Sequence, residues 1–240
     1  MNTNISILGC GWLGKALAKK LISASYNLRG TTTKLDNLDI LNQLGIKPLI
    51  VNIENNSLET HFLDTDVLVI AITSKNTSAF KNLITYIEKS TVKKVIFISS
   101  TSVYNTSNAT ITEVTETNST PLVQIEQLFI NATTFKTTIL RFGGLFGYDR
   151  KPGNFFKVGK PISNPLGYIN YIHRDDCVNI IKNIIEKDVF GHIFNACSDS
   201  HPTRREFYIN EFKKVGRTVP IFDETSTNEF KIINSDQLKA

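Results

Sequence analysis

Apolar residues along this chain fall into two rhythms that take turns. Ile5-Ser6-Ile7-Leu8, Val67-Leu68-Val69-Ile70-Ala71-Ile72 and Val95-Ile96-Phe97-Ile98 are almost unbroken apolar runs, the pattern of strands covered on both faces. Together with 27–31, 47–51 and 137–142 they predict six strands, at 5–8, 27–31, 47–51, 67–72, 94–99 and 137–142. The intervening stretches 15–23, 35–44, 58–63, 79–89 and 121–133 space their apolar residues as helices do. Strands alternating with helices imply a parallel sheet wound from βαβ units. Gly45 follows the second helix as its C-terminal cap. Two regions break the rhythm. Residues 105–120 are dominated by Asn, Ser and Thr, and 143–170 are rich in Gly, Pro, Phe and Tyr. Each follows the end of a strand, where open α/β sheets hold their ligands. A helix over 175–187, a strand near 192–196 and a helix starting at Thr203 complete the reading. Thr203 and Glu206 have the spacing of a capping box.

The turn after the first strand is Gly9-Cys10-Gly11-Trp12-Leu13-Gly14. Its glycines have separate tasks. Gly9 permits the sharp exit from the strand, Gly11 lets a diphosphate approach the main chain, and Gly14 lets the helix pack close to the strand. The helix start adds N–H groups and the positive end of a dipole. Gly9, Gly11, Trp12, Leu13 and Gly14 are therefore expected to line a dinucleotide.

The bulk numbers narrow the alternatives. A length of 240 residues, 41% hydrophobic and 20% charged, is that of a globular chain with a substantial core. No apolar run nears the roughly 20 residues of a membrane span, and the N-terminus has no secretory pattern, so a cytoplasmic protein with no membrane partner is expected. The net charge of +5 is spread out, without a basic stripe interleaved with aromatics, which argues against nucleic-acid binding. Cys10, Cys177 and Cys197 are scattered and read as free thiols, with no metal site. Cys10 reads as a small packed residue within the turn.

Phe97-Ile98-Ser99-Ser100-Thr101-Ser102-Val103-Tyr104, taken with the glycine turn, resembles the NAD(P)-dependent epimerase/dehydratase branch of the short-chain dehydrogenase/reductases. Leu28-Arg29-Gly30-Thr31-Thr32, Leu140-Arg141-Phe142-Gly143-Gly144-Leu145-Phe146-Gly147 and Tyr171-Ile172-His173-Arg174-Asp175-Asp176-Cys177 resemble further segments of that branch. Gly191-His192-Ile193-Phe194-Asn195 followed by His201-Pro202-Thr203-Arg204 resembles its compact, atypical YeeZ-type subgroup. The resemblance implies a Rossmann-type, doubly wound α/β fold: an NAD(P)-binding core over 1–145 and a small C-terminal substrate lobe over 146–240, integrated as one structural unit. It implies cofactor contacts from Thr31, Thr32, Thr33 and Lys34 after the second strand, Asn52 and Ile53 by the adenine, Ala71, Ile72 and Thr73 by the ribose and diphosphate, and Ser99, Ser100 and Gly143 beyond.

Active members of the branch pair a Ser or Thr with Tyr-x-x-x-Lys on the following helix. Ser100 matches that Ser by its spacing to Val103-Tyr104. The partner motif should fall near 121–127, which holds no Tyr, and Tyr-x-x-x-Lys occurs nowhere in the chain. A serine hydroxyl is far too weak an acid to replace a tuned phenol. Tyr148 and His173 are the candidates for proton transfer, with Ser100 fixing a carbonyl; Tyr104 and Arg141 read as structural. No acid stands between Arg29 and Asp36 to accept the ribose 2′-hydroxyl, which favours NADP, with NAD as the alternative. Two readings remain open. One is an oxidoreductase or epimerase/dehydratase-like enzyme acting on a small substrate, such as a nucleotide sugar. The other is a non-catalytic dinucleotide sensor or scaffold.

Overall fold

A computed structural model describes residues 3–55, 58 and 60–240. In chain order its elements are β1 (Asn4–Leu8), α1 (Trp12–Ser23), β2 (Asn27–Thr32), α2 (Leu38–Gln43), β3 (Lys47–Ile50), β4 (Val67–Ile70), α3 (Thr77–Glu88), β5 (Lys94–Ser100), β6 (Ala109–Ile111), α4 (Pro121–Asn131), β7 (Lys136–Phe142), β8 (Gly144–Phe146), β9 (Tyr171–His173), α5 (Arg174–Glu186), β10 (Ile193–Ala196), α6 (Arg204–Lys214), β11 (Lys231–Ile233) and α7 (Asp236–Lys239). Seven strands form one parallel sheet in the order β10-β7-β5-β4-β1-β2-β3, flanked by helices. The order reverses between β1 and β4, and that switch point is where such sheets open a crevice at their strand ends.

The chain gathers into two compact units. The first holds residues 1–99, 119–140 and 175–193; the second holds 100–118, 141–174 and 194–240. Beyond the ordinary ladder, the first unit is set by burial on both sheet faces. All four residues of β4 are buried. In α3, Phe80, Leu83, Ile84 and Ile87 form the buried stripe, and the Asn76 side chain caps the helix by accepting from the Ala79 N–H at 3.1 Å. Phe80, Phe97 and Phe129, from α3, β5 and α4, meet at ring distances of 4.9–6.0 Å. One polar residue in β1, Ser6, is fully buried, and its hydroxyl donates to the Phe62 carbonyl at 2.7 Å.

The second unit contains two short parallel pairs, β8 with β9 and β6 with β11. Its apolar centre is Ile162, Ile169, Tyr208 and Phe212, with Phe156, Tyr171, Phe207 and Phe222 packed around them. Thr203 and Glu206 form the capping box at the start of α6. Among the described residues no helix is long and apolar enough to cross a membrane.

Two expected helices and both irregular regions differ from the sequence reading. The stretch 35–44 begins as a 3-10 turn and becomes helical only at Leu38. The helix expected over 58–63 falls partly on residue 59, outside the described residues; Thr60–Leu63 is a single 3-10 turn, enough to bury Phe62 and Leu63. The two irregular regions contain β6 and β8, each only three residues long. Such strands have too little periodicity to be visible without their distant partners β11 and β9.

A substitution tests how tightly α1 sits on β1. A Cβ at Gly14 would collide with the Gly9 carbonyl oxygen and touch Ile7 at 3.4 Å. Overpacking of this kind costs about 1–3 kcal/mol, against a helix-propensity gain of up to about 1 kcal/mol for Gly→Ala. Gly14→Ala is expected to lower the urea midpoint; a midpoint at or above that of the parent would show that α1 can shift freely.

Candidate functional site

The glycine turn lies at the switch point. The Gly9 N–H donates to Thr31 Oγ1 at 2.9 Å, the Cys10 N–H to the Thr31 carbonyl at 2.8 Å, and the Ala71 N–H to the Leu8 carbonyl at 2.8 Å. Gly9 has a φ of +102°, and a Cβ there would lie 2.7 Å from the Ala71 carbonyl oxygen and 2.6 Å from Ile72. Gly9, Thr31, Ala71 and Ile72 are thus brought together by main-chain geometry. Gly11 differs from its two sister glycines. Its φ is −79°, and a Cβ added to it would meet no protein atom within 4 Å. Among the described residues no packing contact requires glycine there. α1 begins immediately after it, with no capping side chain and no acidic residue in its first turn. An unfilled approach to bare main chain at a positive helix end is the cradle a diphosphate needs, so the residues fit a dinucleotide. Leu13 and Gly14 are buried on the strand side, and Trp12 is half-buried.

The other residues expected around the cofactor sit at the same end of the sheet. Thr31 is buried, and Thr32 nearly so. Thr32 Oγ1 accepts from the Lys34 N–H at 3.2 Å and from Asn37 at 3.3 Å, which folds the exit from β2. Thr33 and Lys34 are exposed. Arg29 is engaged elsewhere, donating to the Asp64 carbonyl. Asn52 Oδ1 accepts from the Glu54 N–H at 3.0 Å, and Ser74 donates to Glu54 at 2.9 Å, which links the exits of β3 and β4. Ile53 is buried beside them and Thr73 is exposed.

One buried pair was not foreseen from sequence. Ser99 donates to Glu126 Oε1 at 2.5 Å, and Glu126 is fully buried on α4, within the stretch where Tyr-x-x-x-Lys was sought. A carboxyl group is rarely buried unless hydrogen-bonded. The sequence signal was Glu126 itself, between the apolar positions Ile125 and Phe129, on the inward stripe of an amphipathic helix.

In the second unit, Ser100 precedes a single 3-10 turn, Thr101–Val103, and caps it: its Oγ accepts from the Ser102 N–H at 3.1 Å. That bond occupies an oxygen lone pair and leaves the O–H as the donor. Tyr104 ends the turn and is buried. Its hydroxyl donates to Asn195 Oδ1 at 2.9 Å and accepts from Arg141 at 2.6 Å, and the guanidinium lies 5.0 Å from its ring centroid. Burial raises the Tyr104 pKa, with Arg141 opposing. Both residues hold structure, as their sequence context indicated. Tyr148 and His173 are brought together, with ring centroids 5.5 Å apart. Tyr148 is 54% exposed, adopts φ +54°, and stacks beneath the Arg174 guanidinium at 4.2 Å. A Cβ at Gly147 would lie 2.5 Å from His173 Nε2, so the missing side chain makes room for the imidazole. Gly143 is buried, and a Cβ there would lie 2.5 Å from the Asn170 carbonyl and 3.2 Å from the Cys197 sulfur.

All three cysteines are free and buried. Cys10 fills the space that Gly30 leaves empty. Burial pushes the Cys10 and Cys197 thiols from 9.0 up to about 12. A helix start can lower a thiol pKa, but desolvation outweighs that here. Ellman's reagent at pH 8 is expected to find almost no reactive thiol in the folded protein and all three after denaturation. The raised values also set a pH dependence. Folded pKa values above the unfolded ones contribute stability that is intact below about pH 9 and is lost as pH rises toward about 12. Melting temperature should therefore decline above pH 9.

Comparison with known proteins agrees with this geometry. The family model described as NAD(P)H-binding matches residues 9–188. The chain is 28% identical over 254 residues to Protein YeeZ of Escherichia coli (strain K12), covering 98% of this chain and 92% of that one. A conserved protein of unknown function from Silicibacter pomeroyi DSS has the same fold, with a TM-score of 0.83 at 19% identity over 99% of this chain and 91% of that one. A UDP-glucuronic acid 4-epimerase from Bacillus cereus, in complex with NAD, superposes with a TM-score of 0.79 at 16% identity, over 98% and 89%. With its glycine turn, switch point and open helix start inside the matched span, this chain belongs to the NAD(P)H-binding family, with a YeeZ-like sequence and the fold of the NAD-dependent epimerases.

Proposed function

We propose that this protein binds NADP(H) at the glycine turn and catalyses an oxidoreductase or epimerase/dehydratase-like reaction on a small, anionic substrate of the nucleotide-sugar kind. The observation that carries the proposal is Gly11. Gly9 and Gly14 are explained by contacts within the protein, whereas glycine at position 11 is explained only by something outside it. The main chain at the start of α1 holds the diphosphate, Asn52 and Ile53 border the adenine, and Thr31 and Ala71–Thr73 border the ribose. The 2′-phosphate meets Thr33 and Lys34, with no carboxylate at the end of β2 to repel it. Lys34 supplies this charge, since Arg29 is held by Asp64.

When bound, the nicotinamide accepts or gives a hydride. The chain's own residues handle the oxygen and its proton. Ser100 donates its O–H to a substrate oxygen, while one of its two lone pairs accepts the Ser102 N–H. Tyr148 or His173 moves the proton; the two rings adjoin, and Tyr148 reaches solvent. Arg150, Lys151, Lys157 and Lys160 provide positive charge for an anionic substrate. A second reading, a dinucleotide sensor without chemistry, draws support from α4: its inward face presents Glu126 and apolar residues and no tyrosine. The Bacillus cereus neighbour is a UDP-glucuronic acid 4-epimerase; here UDP-sugars serve as probes.

Calorimetric titration separates these ideas. NADPH is expected to bind more tightly than NADH. Gly11→Ala is expected to leave the melting temperature within about 1 °C and weaken NADPH binding at least tenfold. Absence of binding by either nucleotide would overturn the proposal, and an unaffected Gly11→Ala would move the site elsewhere. For the chemistry, purified protein is incubated with NADP⁺ or NADPH and a set of UDP-sugars. Tyr148→Phe or His173→Ala is expected to reduce turnover by at least tenfold with nucleotide affinity unchanged. Nucleotide binding with no turnover on any probe would favour the sensor.

A further inference from the structure

The turn that carries Ser100 is too short to hold itself. Thr101–Val103 is one turn of 3-10 helix, closed at its end by the Tyr104 N–H donating to the Thr101 carbonyl at 3.3 Å. A turn this short is marginal unless its ends are capped. Ser100 caps the first end. At the second end Asn118 takes the Val103 carbonyl through its N–H at 2.7 Å and the Ser102 carbonyl through Nδ2 at 2.9 Å, and the two carbonyls on either side are reached from far along the chain: Lys231 Nζ donates to the Thr101 carbonyl at 3.0 Å and to the Tyr104 carbonyl at 2.6 Å. A cation on the last carbonyls of a helical turn matches their negative end, and here it gives the Thr101 carbonyl a second partner beside the Tyr104 N–H.

Lys231 is itself held firmly. It opens β11, whose pairing with β6 sets the register Lys231↔Ala109. Its own carbonyl accepts from Asn170 Nδ2 at 2.7 Å, and Asn170 Oδ1 accepts from the Ile233 N–H at 2.9 Å. The preceding residue, Phe230, exchanges hydrogen bonds with Asn108: its N–H donates to Oδ1 at 2.8 Å and its carbonyl accepts from the Asn108 N–H at 2.9 Å. The side chain is half-buried, and desolvation lowers its pKa. All of these residues belong to the second unit.

We infer that Lys231 is a positioning residue: clamped by Asn108 and Asn170, its ammonium pins the Thr101–Tyr104 turn and so aims the Ser100 hydroxyl. The inference rests on the reading of Ser100 as the group that contacts substrate, but the clamp is testable without it. A lysine 130 residues beyond Thr101 in sequence thereby stabilises the segment that follows β5. Removing its ammonium takes the cation from both carbonyls, leaving Thr101 with the 3.3 Å bond from the Tyr104 N–H, and loosens the turn behind Ser100, whereas an arginine, which also donates N–H groups, preserves the cap.

Amide hydrogen exchange on the full chain provides the test. In Lys231→Met, the Ser102 and Tyr104 amides are expected to exchange at least tenfold faster, with amides in β1 and β4 unchanged; Lys231→Arg restores protection. Unchanged protection at Ser102 and Tyr104 in Lys231→Met overturns the inference. Should Lys231→Met not fold, native-state exchange of the parent in low denaturant decides. A clamp makes Ser102 and Tyr104 open together with Phe230 and Ile233, at one free energy; separate opening overturns it. Titration of the parent with NADPH runs alongside. Loss of the clamp with intact nucleotide binding, or the reverse, shows which of the two readings has failed.

Discussion

No side chain fits between Gly14 and the Gly9 carbonyl, and that restriction decides where α1 starts. Because α1 seats against β1, its first turn opens at the reversal of strand order between β1 and β4. Because Gly9 bends at φ +102° under the Ala71 carbonyl, the chain clears the fourth strand and presents Gly11 outward. Around it, Thr31 ties the turn to β2 through two hydrogen bonds, and Cys10 fills the gap above Gly30. Two glycines are consumed in making the architecture. The third is left over, and this surplus is what distinguishes a nucleotide-binding turn from an ordinary βα connection.

The end of β5 shows how neighbouring serines acquire different roles from their direction alone. Side chains alternate along a strand. Ser99 follows Phe97 on the face toward α4 and is bound to the buried Glu126, while Ser100 belongs to the next turn and keeps its O–H available. Where the wider branch places a tyrosine and a lysine on this helix, the chain has a carboxyl group with no exposure. Tyr148 and His173 lie side by side in the second unit, and the left-handed backbone at Tyr148 pushes its ring outward.

Much of this was legible in the residues. The apolar runs of β4 and β5 identified the centre of the sheet, since strands covered on both faces have few ways to be polar. Gly45 and the Thr203–Glu206 pair announced a helix end and a helix start through their own local chemistry. The glycine turn was readable because its three glycines fall at fixed spacing between an apolar strand and a helix. By contrast, Tyr104 gave no hint of its bonds to Arg141 and Asn195, and Glu126, though on the inward stripe of its helix, gave no hint of Ser99 as its partner. Their partners are 27 to 91 positions away, beyond the reach of any periodic pattern.

The sequence by itself determined the parallel α/β sheet, the turn at its first crossover and the absence of Tyr-x-x-x-Lys, because those depend on interactions within a few residues or on composition. Only the tertiary structure decided that Gly11 alone of the three turn glycines is not demanded by packing, that Tyr148 meets His173, and that Lys231 reaches the turn behind Ser100. These depend on which distant segments the fold brings within hydrogen-bonding distance. Chain order carries no record of such proximity until the sheet and its pairings have formed.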